Sequence, residues 1–138
     1  MSARPEVLEA ARQWVAKAEE DLINAVHTLR LQEGCPSATV CFHAQQTAEK
    51  YLKAALTLYS VPFPKTHDLT ELLRLVPPGN DLGLAGAEVA ELNAYAVATR
   101  YPGDQEPFNR AEAEAAVVLA QRVRDAARMR LPAECLAP

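Results

Sequence analysis

The feature that most constrains the fold is a helical period in the apolar residues, which runs without a break from position 5 to about position 32. Apolar side chains recur there at steps of three or four residues and fall on one side of a helix. This stripe consists of Val7, Ala11, Trp14, Ala18, Leu22, Ala25 and Leu29. We therefore predict a first helix over 5–32, with Trp14 buried against the second helix. No segment alternates apolar and polar residues as a half-buried strand would, so the chain is predicted to be all-α.

Prolines and glycines divide the rest of the chain into four further helices, because these residues interrupt helical hydrogen bonding. The predicted helices are 37–59, 68–76, 82–99 and 109–130, with N-caps at Ser37, Asp68 and Asn109. The second helix is expected to bury Val40, Ala44, Ala48, Tyr51, Ala55, Leu58 and Tyr59. The fourth is expected to bury Leu84, Val89, Leu92, Tyr95 and Ala96. The last is expected to bury Ala111, Ala115, Val118, Leu119, Arg122 and Ala126.

These helices predict one domain over 1–138, an antiparallel up-and-down bundle of about five helices. The tail after about Leu131 is expected to fray. Hydrophobic residues make up 49% of a chain of only 15.0 kDa. A bundle this small exposes much of its surface, and a symmetric helical interface would cover part of it. We therefore expect a homodimer.

The charge and the cysteines indicate the kind of partner and the compartment. A net charge of −4 gives no sign of the basic surface that generic duplex binding requires, although it allows a local basic patch. The three cysteines cannot complete a disulfide framework, and free thiols are typical of the reducing cytosol. The sequence shows no apolar leader and no apolar run of membrane-spanning length. We expect a cytoplasmic protein that does not bind membranes.

Polar residues of the second helix form the first candidate site. His43, Gln46, Lys50 and Lys53 lie opposite the predicted apolar stripe. Ammonium, amide and imidazole groups on one face can contact a phosphate and the edge of a base. The simpler interpretation is a solvated face with an ion pair between Glu49 and Lys53 at i,i+4. Both interpretations stand at this point.

Two junctions between loops and helices add further candidates. Lys65 and His67 precede the third helix, and a helix N-terminus favours anions. The simpler interpretation is that His67 bonds locally while Asp68 caps the helix. Arg100 and Tyr101 follow the fourth helix. Arg100 could hold a phosphate, or could bond the last carbonyls of that helix.

Other polar residues are expected to serve the structure. Gln45 lies nearer the buried side of the second helix and should therefore find a hydrogen-bond partner. The acidic run at 19–21 is interpreted as a solvated face. The chain lacks phosphate-binding glycine loops, a nucleophile elbow and the zinc-protease motif. The three histidines lack metal-ligand spacing, so we expect no metal site.

Several segments together resemble the HEPN domain family, whose name stands for higher eukaryotes and prokaryotes nucleotide-binding. The matching segments are residues 14, 18–22, 42–54, 66–69 and 100–102. They include a Gln-Gln-x-Ala-Glu-Lys-x-Leu-Lys-Ala run, a His-Asp-Leu and an Arg-Tyr in this order. The resemblance covers about 7–130, and it implies a helical bundle that is usually a homodimer.

The resemblance also implies two possible activities. One is the role of a frequent partner of a separately encoded minimal nucleotidyltransferase, in a module of the toxin–antitoxin type, for which the HEPN protein is thought to bind nucleotide or substrate. Many relatives are instead RNases of toxin–antitoxin modules and use an Arg-x4-6-His motif. Arg100 has no histidine after it, since His67 is the last in the chain. The chain departs from the RNase pattern there, and RNA is not the favoured partner.

We predict a nucleotide-binding or substrate-binding module that acts with a minimal nucleotidyltransferase and is not itself catalytic. The predicted nucleotide-binding residues are His43, Gln46, Lys50, Lys53, Lys65, His67, Arg100 and Tyr101. We expect no cofactor other than a nucleotide ligand such as ATP. One alternative is an RNase toxin with a degenerate site that pairs Arg100 with His67. The other is a non-catalytic dimer with a structural or interaction role.

Overall fold

Six α-helices and one 3-10 turn make up the regular structure of the described residues. The computed structural model describes residues 3–96 and 108–136, and no strand occurs in these two ranges. The helices are α1 (Pro5–Leu29), α2 (Ser37–Leu58), α3 (Leu69–Leu75), α4 (Gly86–Asn93), α5 (Arg110–Arg128) and α6 (Ala133–Leu136), and the 3-10 turn is Pro78–Asn80. The all-α prediction is therefore confirmed.

The antiparallel pair of α1 and α2 forms the centre of the bundle. Trp14 lies beside Lys53, and Asp21 lies beside His43, so the two helices run in opposite directions. Small side chains let the two helix axes approach closely. The fully buried alanines of this interface include Ala11, Ala18, Ala25, Ala44 and Ala48. Close packing brings the polar side chains of α1 within reach of those of α2.

The later helices cover the remaining sides of α2. α5 packs on α2 and runs antiparallel to α1. Arg110 at its start donates to the carbonyls of Leu29 and Leu31, while Arg124 reaches Glu19 further back along α1. α3 and α4 pack on each other and on α2. α2 is therefore surrounded by protein along most of its length.

The junction of α3 and α4 fixes the segment that precedes α3. Asp68 caps α3 as predicted, since its Oδ1 accepts from the backbone N–H of Thr70 at 3.0 Å and of Glu71 at 3.3 Å. Asn93, the last residue of α4, donates through Nδ2 to the same Oδ1 at 3.0 Å. Its Oδ1 accepts from the backbone N–H of Leu69 at 2.8 Å. The end of α4 thus lies beside residue 68.

Several predicted helix limits need correction. α1 ends at Leu29, and Pro36 rather than Ser37 takes the N-cap position of α2. α4 is much shorter than 82–99 and begins at Gly86. Leu82 and Leu84 are buried from an irregular segment in which Gly83 has a φ of +71°, a left-handed conformation that glycine adopts without strain. Positions 97–99 of the predicted helix lie outside the described residues.

The buried face of α5 differs from the predicted one. Its buried residues are Ala113, Ala116, Val117, Ala120, Val123 and Ala127, whereas Val118 is 63% exposed. Alanine occurs on every side of this helix, so its apolar period is compatible with more than one stripe. Arg122, predicted on or beside the stripe, is exposed and pairs with Glu88. The capping box of Asn109 and Glu112 is present.

The segment after Leu131 also needs correction. It forms the short helix α6 instead of fraying through its described residues. α6 packs on α1, and Cys135 is fully buried with its thiol 3.6 Å from the carbonyl oxygen of Leu8. An apolar anchor therefore holds this end of the chain against the start of α1.

Candidate functional site

The polar face of α2 lies largely inside the protein, which corrects the solvated face considered above. Glu49 is only 3% exposed and Lys53 only 8%. Because α1, α3, α4 and α5 all contact α2, little of its surface meets water. Charged groups at such positions need partners close by, since burial of an unpaired charge is costly.

Glu49 is the centre of the first group of partners, which we call the Glu49 cluster: Gln45, Gln46, Glu49, Lys53 and His67. Lys53 Nζ lies 3.1 Å from Glu49 Oε2, which confirms the predicted i,i+4 pair. His67 Nδ1 lies 2.7 Å from Glu49 Oε1. A carboxylate can only accept, so this ring nitrogen carries the hydrogen and donates. His67 is therefore held in one ring orientation by a buried carboxylate.

Gln45 holds the backbone of the same histidine. Its side chain is fully buried, and Nε2 donates to the carbonyl oxygen of His67 at 2.9 Å. The Gln45 Oε1 accepts from Gln46 Nε2 at 2.7 Å. The expectation that Gln45 finds a partner is confirmed. Although both its ring and its backbone are held, the His67 side chain is 68% exposed.

A second group, which we call the Asp21 cluster, joins α1 to α2 through Asp21, His43 and Lys50. Asp21 is 8% exposed, and its Oδ1 lies 2.8 Å from His43 Nδ1. Its Oδ2 accepts from Lys50 Nζ. The acidic run at 19–21 is thus not a solvated face, since only Glu20 of the three acids is exposed.

The Glu49 cluster and the Asp21 cluster contain the same kinds of charged and titratable side chains. Each contains one carboxylate, one lysine and one histidine, so each lysine already balances a carboxylate. Lys50 and Lys53 therefore act first as structural counterions, and in each cluster the second ring nitrogen of the imidazole is the group left to contact a ligand.

Sequence reasoning missed a third group, in which Glu19 of α1 meets α2 and α5. Arg124 donates to both oxygens of Glu19, through Nε at 2.8 Å and through Nη2 at 3.2 Å. The Tyr51 hydroxyl donates to Glu19 and accepts from Arg128. Burial alone would raise the pKa of Glu19, but the hydrogen bonds from Arg124 and Tyr51 lower it below its usual value. Burial, together with the bond to Glu19, raises the pKa of Tyr51 to about 12.

The remaining predicted site residues have different positions. Lys65 is exposed, two residues before His67. Arg100 and Tyr101 lie outside the described residues.

Within 3–96 and 108–136, no three His, Cys, Asp or Glu side chains converge as metal ligands would. No helix of the described chain is long and apolar enough to cross a membrane.

Trp14 packs against the core but is only partly buried. Its ring meets Phe63 edge-on, with ring centres 6.3 Å apart. The Lys53 ammonium lies over the Trp14 ring at 5.5 Å from its centre and 5.8 Å from the centre of the Phe63 ring. These contacts are close enough for cation–π attraction. They join the aromatic pair to the Glu49 cluster.

Comparison with known proteins identifies the family. The model of the HEPN domain matches residues 11–130, which is most of the chain. The chain belongs to the HEPN family. No protein of curated function matches it.

Two solved structures resemble this HEPN protein. TT1696 from Thermus thermophilus is 30% identical with a TM-score of 0.72, and the match covers 88% of this chain and 98% of that one. ST0689, described as an archaeal HEPN homologue, is 23% identical with a TM-score of 0.69 over the same shares of the two chains. This second likeness concerns the fold alone. Both agree with the helical bundle described here.

Proposed function

We propose that this HEPN protein binds the phosphate of a nucleotide at His67 and presents the nucleotide to a separately encoded minimal nucleotidyltransferase. The observation that carries the proposal is the histidine itself. Buried Glu49 and buried Gln45 hold its ring and its backbone, yet most of the side chain faces solvent. Two buried polar side chains thus position an exposed imidazole.

The chemistry of this imidazole suits an anion. Since Nδ1 is engaged by Glu49, Nε2 is the nitrogen available to a ligand. In the protonated ring Nε2 donates, and a charged donor forms a strong hydrogen bond to a phosphate oxygen. Lys53 balances the charge of Glu49, so the carboxylate does not repel a phosphate at Nε2 of His67. Exposed Lys65 adds a positive charge two residues before His67.

The proposal changes the roles of the two lysines on α2. Instead of contacting phosphate, Lys50 and Lys53 hold Asp21 and Glu49 in place. His43 is the second imidazole that a carboxylate orients, with a quarter of its side chain exposed.

Isothermal titration calorimetry with ATP tests the phosphate site. We expect His67→Ala to weaken binding by about tenfold or more, because a hydrogen bond to a charged group contributes roughly 1.5–3 kcal/mol. Lys65→Ala should weaken binding less. His27→Ala is the matched control, since His27 is also exposed but lies on the later part of α1. Equal affinity of wild type and His67→Ala, or no binding by the wild type, would refute the proposal.

The partner is a separate part of the proposal, supported by family membership and by the lack of an Arg-x4-6-His motif anywhere in the sequence. A minimal nucleotidyltransferase encoded beside this gene should co-elute with the tagged chain when the two are co-expressed. A neighbourhood without such a gene, or separate elution of the two proteins, would count against this role.

A further inference from the structure

The protein has one tryptophan, and it lies at the edge of a surface groove. The groove has a volume of about 220 Å³ and is lined by Ala10, Gln13, Trp14 and Lys17. These four residues follow one another at helical spacing on α1. Gln13 and Lys17 are exposed, so the groove combines an aromatic ring with an amide and an ammonium group.

Contacts connect this groove to His67. Lys53 lies over the Trp14 ring and pairs with Glu49 at 3.1 Å. Glu49 in turn accepts a hydrogen bond from the His67 ring. The chain between the two places is also short, because Phe63 packs on Trp14 and His67 follows four residues later. Four residues span at most about 14 Å, which limits the distance from Phe63 to His67.

We propose that the Trp14 groove takes the base of the mononucleotide whose phosphate binds at His67. This inference rests on the proposed function and names the second half of its site. Bases stack on aromatic side chains whatever their identity, since every base has a π-face. The Gln13 amide nitrogen donates to Glu9 Oε1 at 3.3 Å, which leaves the amide oxygen to accept from the edge of a stacked base.

The size of the groove fits this occupant. Pockets that enclose a drug-sized ligand have volumes of roughly 300–1,000 Å³, and this one has about 220 Å³. It can hold a ring system while sugar and phosphate remain outside. Lys17 at the rim and Lys65 beside His67 supply positive charge for a ligand of negative charge, and the acid beside Gln13, Glu9, is balanced by Arg12 at 2.6 Å.

Trp14 emission tests the base site directly, because no other tryptophan contributes to it. The probes are AMP, adenosine (base without phosphate) and ribose 5-phosphate (phosphate without base). We expect AMP and adenosine to quench the emission with saturation, and ribose 5-phosphate to leave it unchanged. Failure of AMP to alter Trp14 emission under conditions where calorimetry detects bound AMP would overturn the base site and leave the phosphate site standing.

A blocking variant tests the groove without removing Trp14. Ala10→Leu adds a side chain to the groove wall, and leucine is a good helix former, so α1 should persist. We expect AMP to bind about tenfold more weakly to this variant and ribose 5-phosphate to bind as before. The control is Ala16→Leu, the same change at an exposed position of α1 outside the groove.

Calorimetry separates failure of the base site from failure of the phosphate site. Unchanged AMP affinity in Ala10→Leu overturns the base site. Absence of binding by both AMP and ribose 5-phosphate overturns both proposals. Saturable quenching by adenosine, together with AMP affinity that His67→Ala does not alter, supports the groove as a base site and overturns the phosphate site.

Discussion

Replacing Glu49 by glutamine should strongly destabilise the protein, because it leaves the Lys53 ammonium without its anion. The amide has nearly the same shape as the carboxylate, so its oxygen can still accept from His67. Lys53 is only 8% exposed, and its ammonium lies against the rings of Trp14 and Phe63, so it is largely shielded from water. The two aromatic rings beside it compensate only part of its charge.

The size of the effect follows from the burial of the pair. Removing one partner of a buried ion pair costs about 3–5 kcal/mol, most of it the penalty of the charge that stays behind. For a chain of 138 residues, the usual entropy of unfolding gives about 3 °C in Tm for each kcal/mol. Glu49→Gln should therefore lower Tm by roughly 10–15 °C.

Thermal and urea unfolding followed by circular dichroism measure this prediction. Glu114→Gln is a matched control, since Glu114 forms an i,i+4 pair with Arg110 but is 57% exposed. Exposed pairs contribute little, so the control should change stability by less than ~1 kcal/mol. The double variant Glu49→Gln/Lys53→Met removes both charges and should recover most of the loss. A single variant as stable as the control, or a double variant no more stable than Glu49→Gln, would refute this reasoning.

Three further predictions concern Glu19, its partner Tyr51 and the exposed apolar surface. The folded state lowers the pKa of Glu19, so the ionised carboxylate stabilises the fold fully above the ordinary pKa of 4.5, and this stabilisation is lost as the pH falls through the lowered value. In urea titrations the stability difference between wild type and Glu19→Gln should therefore shrink below pH 4.5. A difference that stays constant with pH would contradict this. Burial and the bond to Glu19 should make Tyr51 ionise near pH 12 in an ultraviolet titration of the folded protein. Tyr51→Phe should remove that step, and a titration of the wild type without a step near pH 12 would contradict the prediction. Ile23 and Met129 are 67% and 86% exposed, and we expect a homodimer to cover such side chains. Light scattering should give twice the chain mass of 15.0 kDa. A monomer mass at micromolar concentration would contradict the dimer.

The candidate site shows where sequence reasoning reaches its limit. The Gln-Gln-x-Ala-Glu-Lys run identified α2 as the informative helix, and the i,i+4 spacing of Glu49 and Lys53 predicted their contact. The same spacing is equally compatible with a pair in water. Only the helices packed on α2 decide that this pair is buried. The pairing of Glu49 with His67, 18 positions apart, has no sequence signal of its own.

The prediction that the acidic run at 19–21 is solvated failed for a related reason. From local spacing alone, an acidic run is interpreted as a solvated face, because acidic residues are usually exposed. The partners of Glu19 are Arg124, which is 105 positions away, and Tyr51. The predicted stripe of α5 included Arg122, which is exposed and pairs with Glu88, and it placed Arg124 on the opposite side of the helix, so no sequence signal indicated the contact with Glu19.

Local sequence signals were enough to predict α1, α2, α3 and α5 and the caps at Asp68 and Asn109, but not the limits of α4 or the helix α6. The period of α1 and α2, the prolines and glycines between helices, and the side chains of Asp68 and Asn109 act over a few residues, and such local effects can be read directly. Tertiary structure alone decided which face of the alanine-rich α5 is buried, and whether each charge of α1 and α2 meets water or a partner. The physical reason is that burial and pairing depend on atoms supplied by distant segments, whereas helix formation depends on neighbours in the chain.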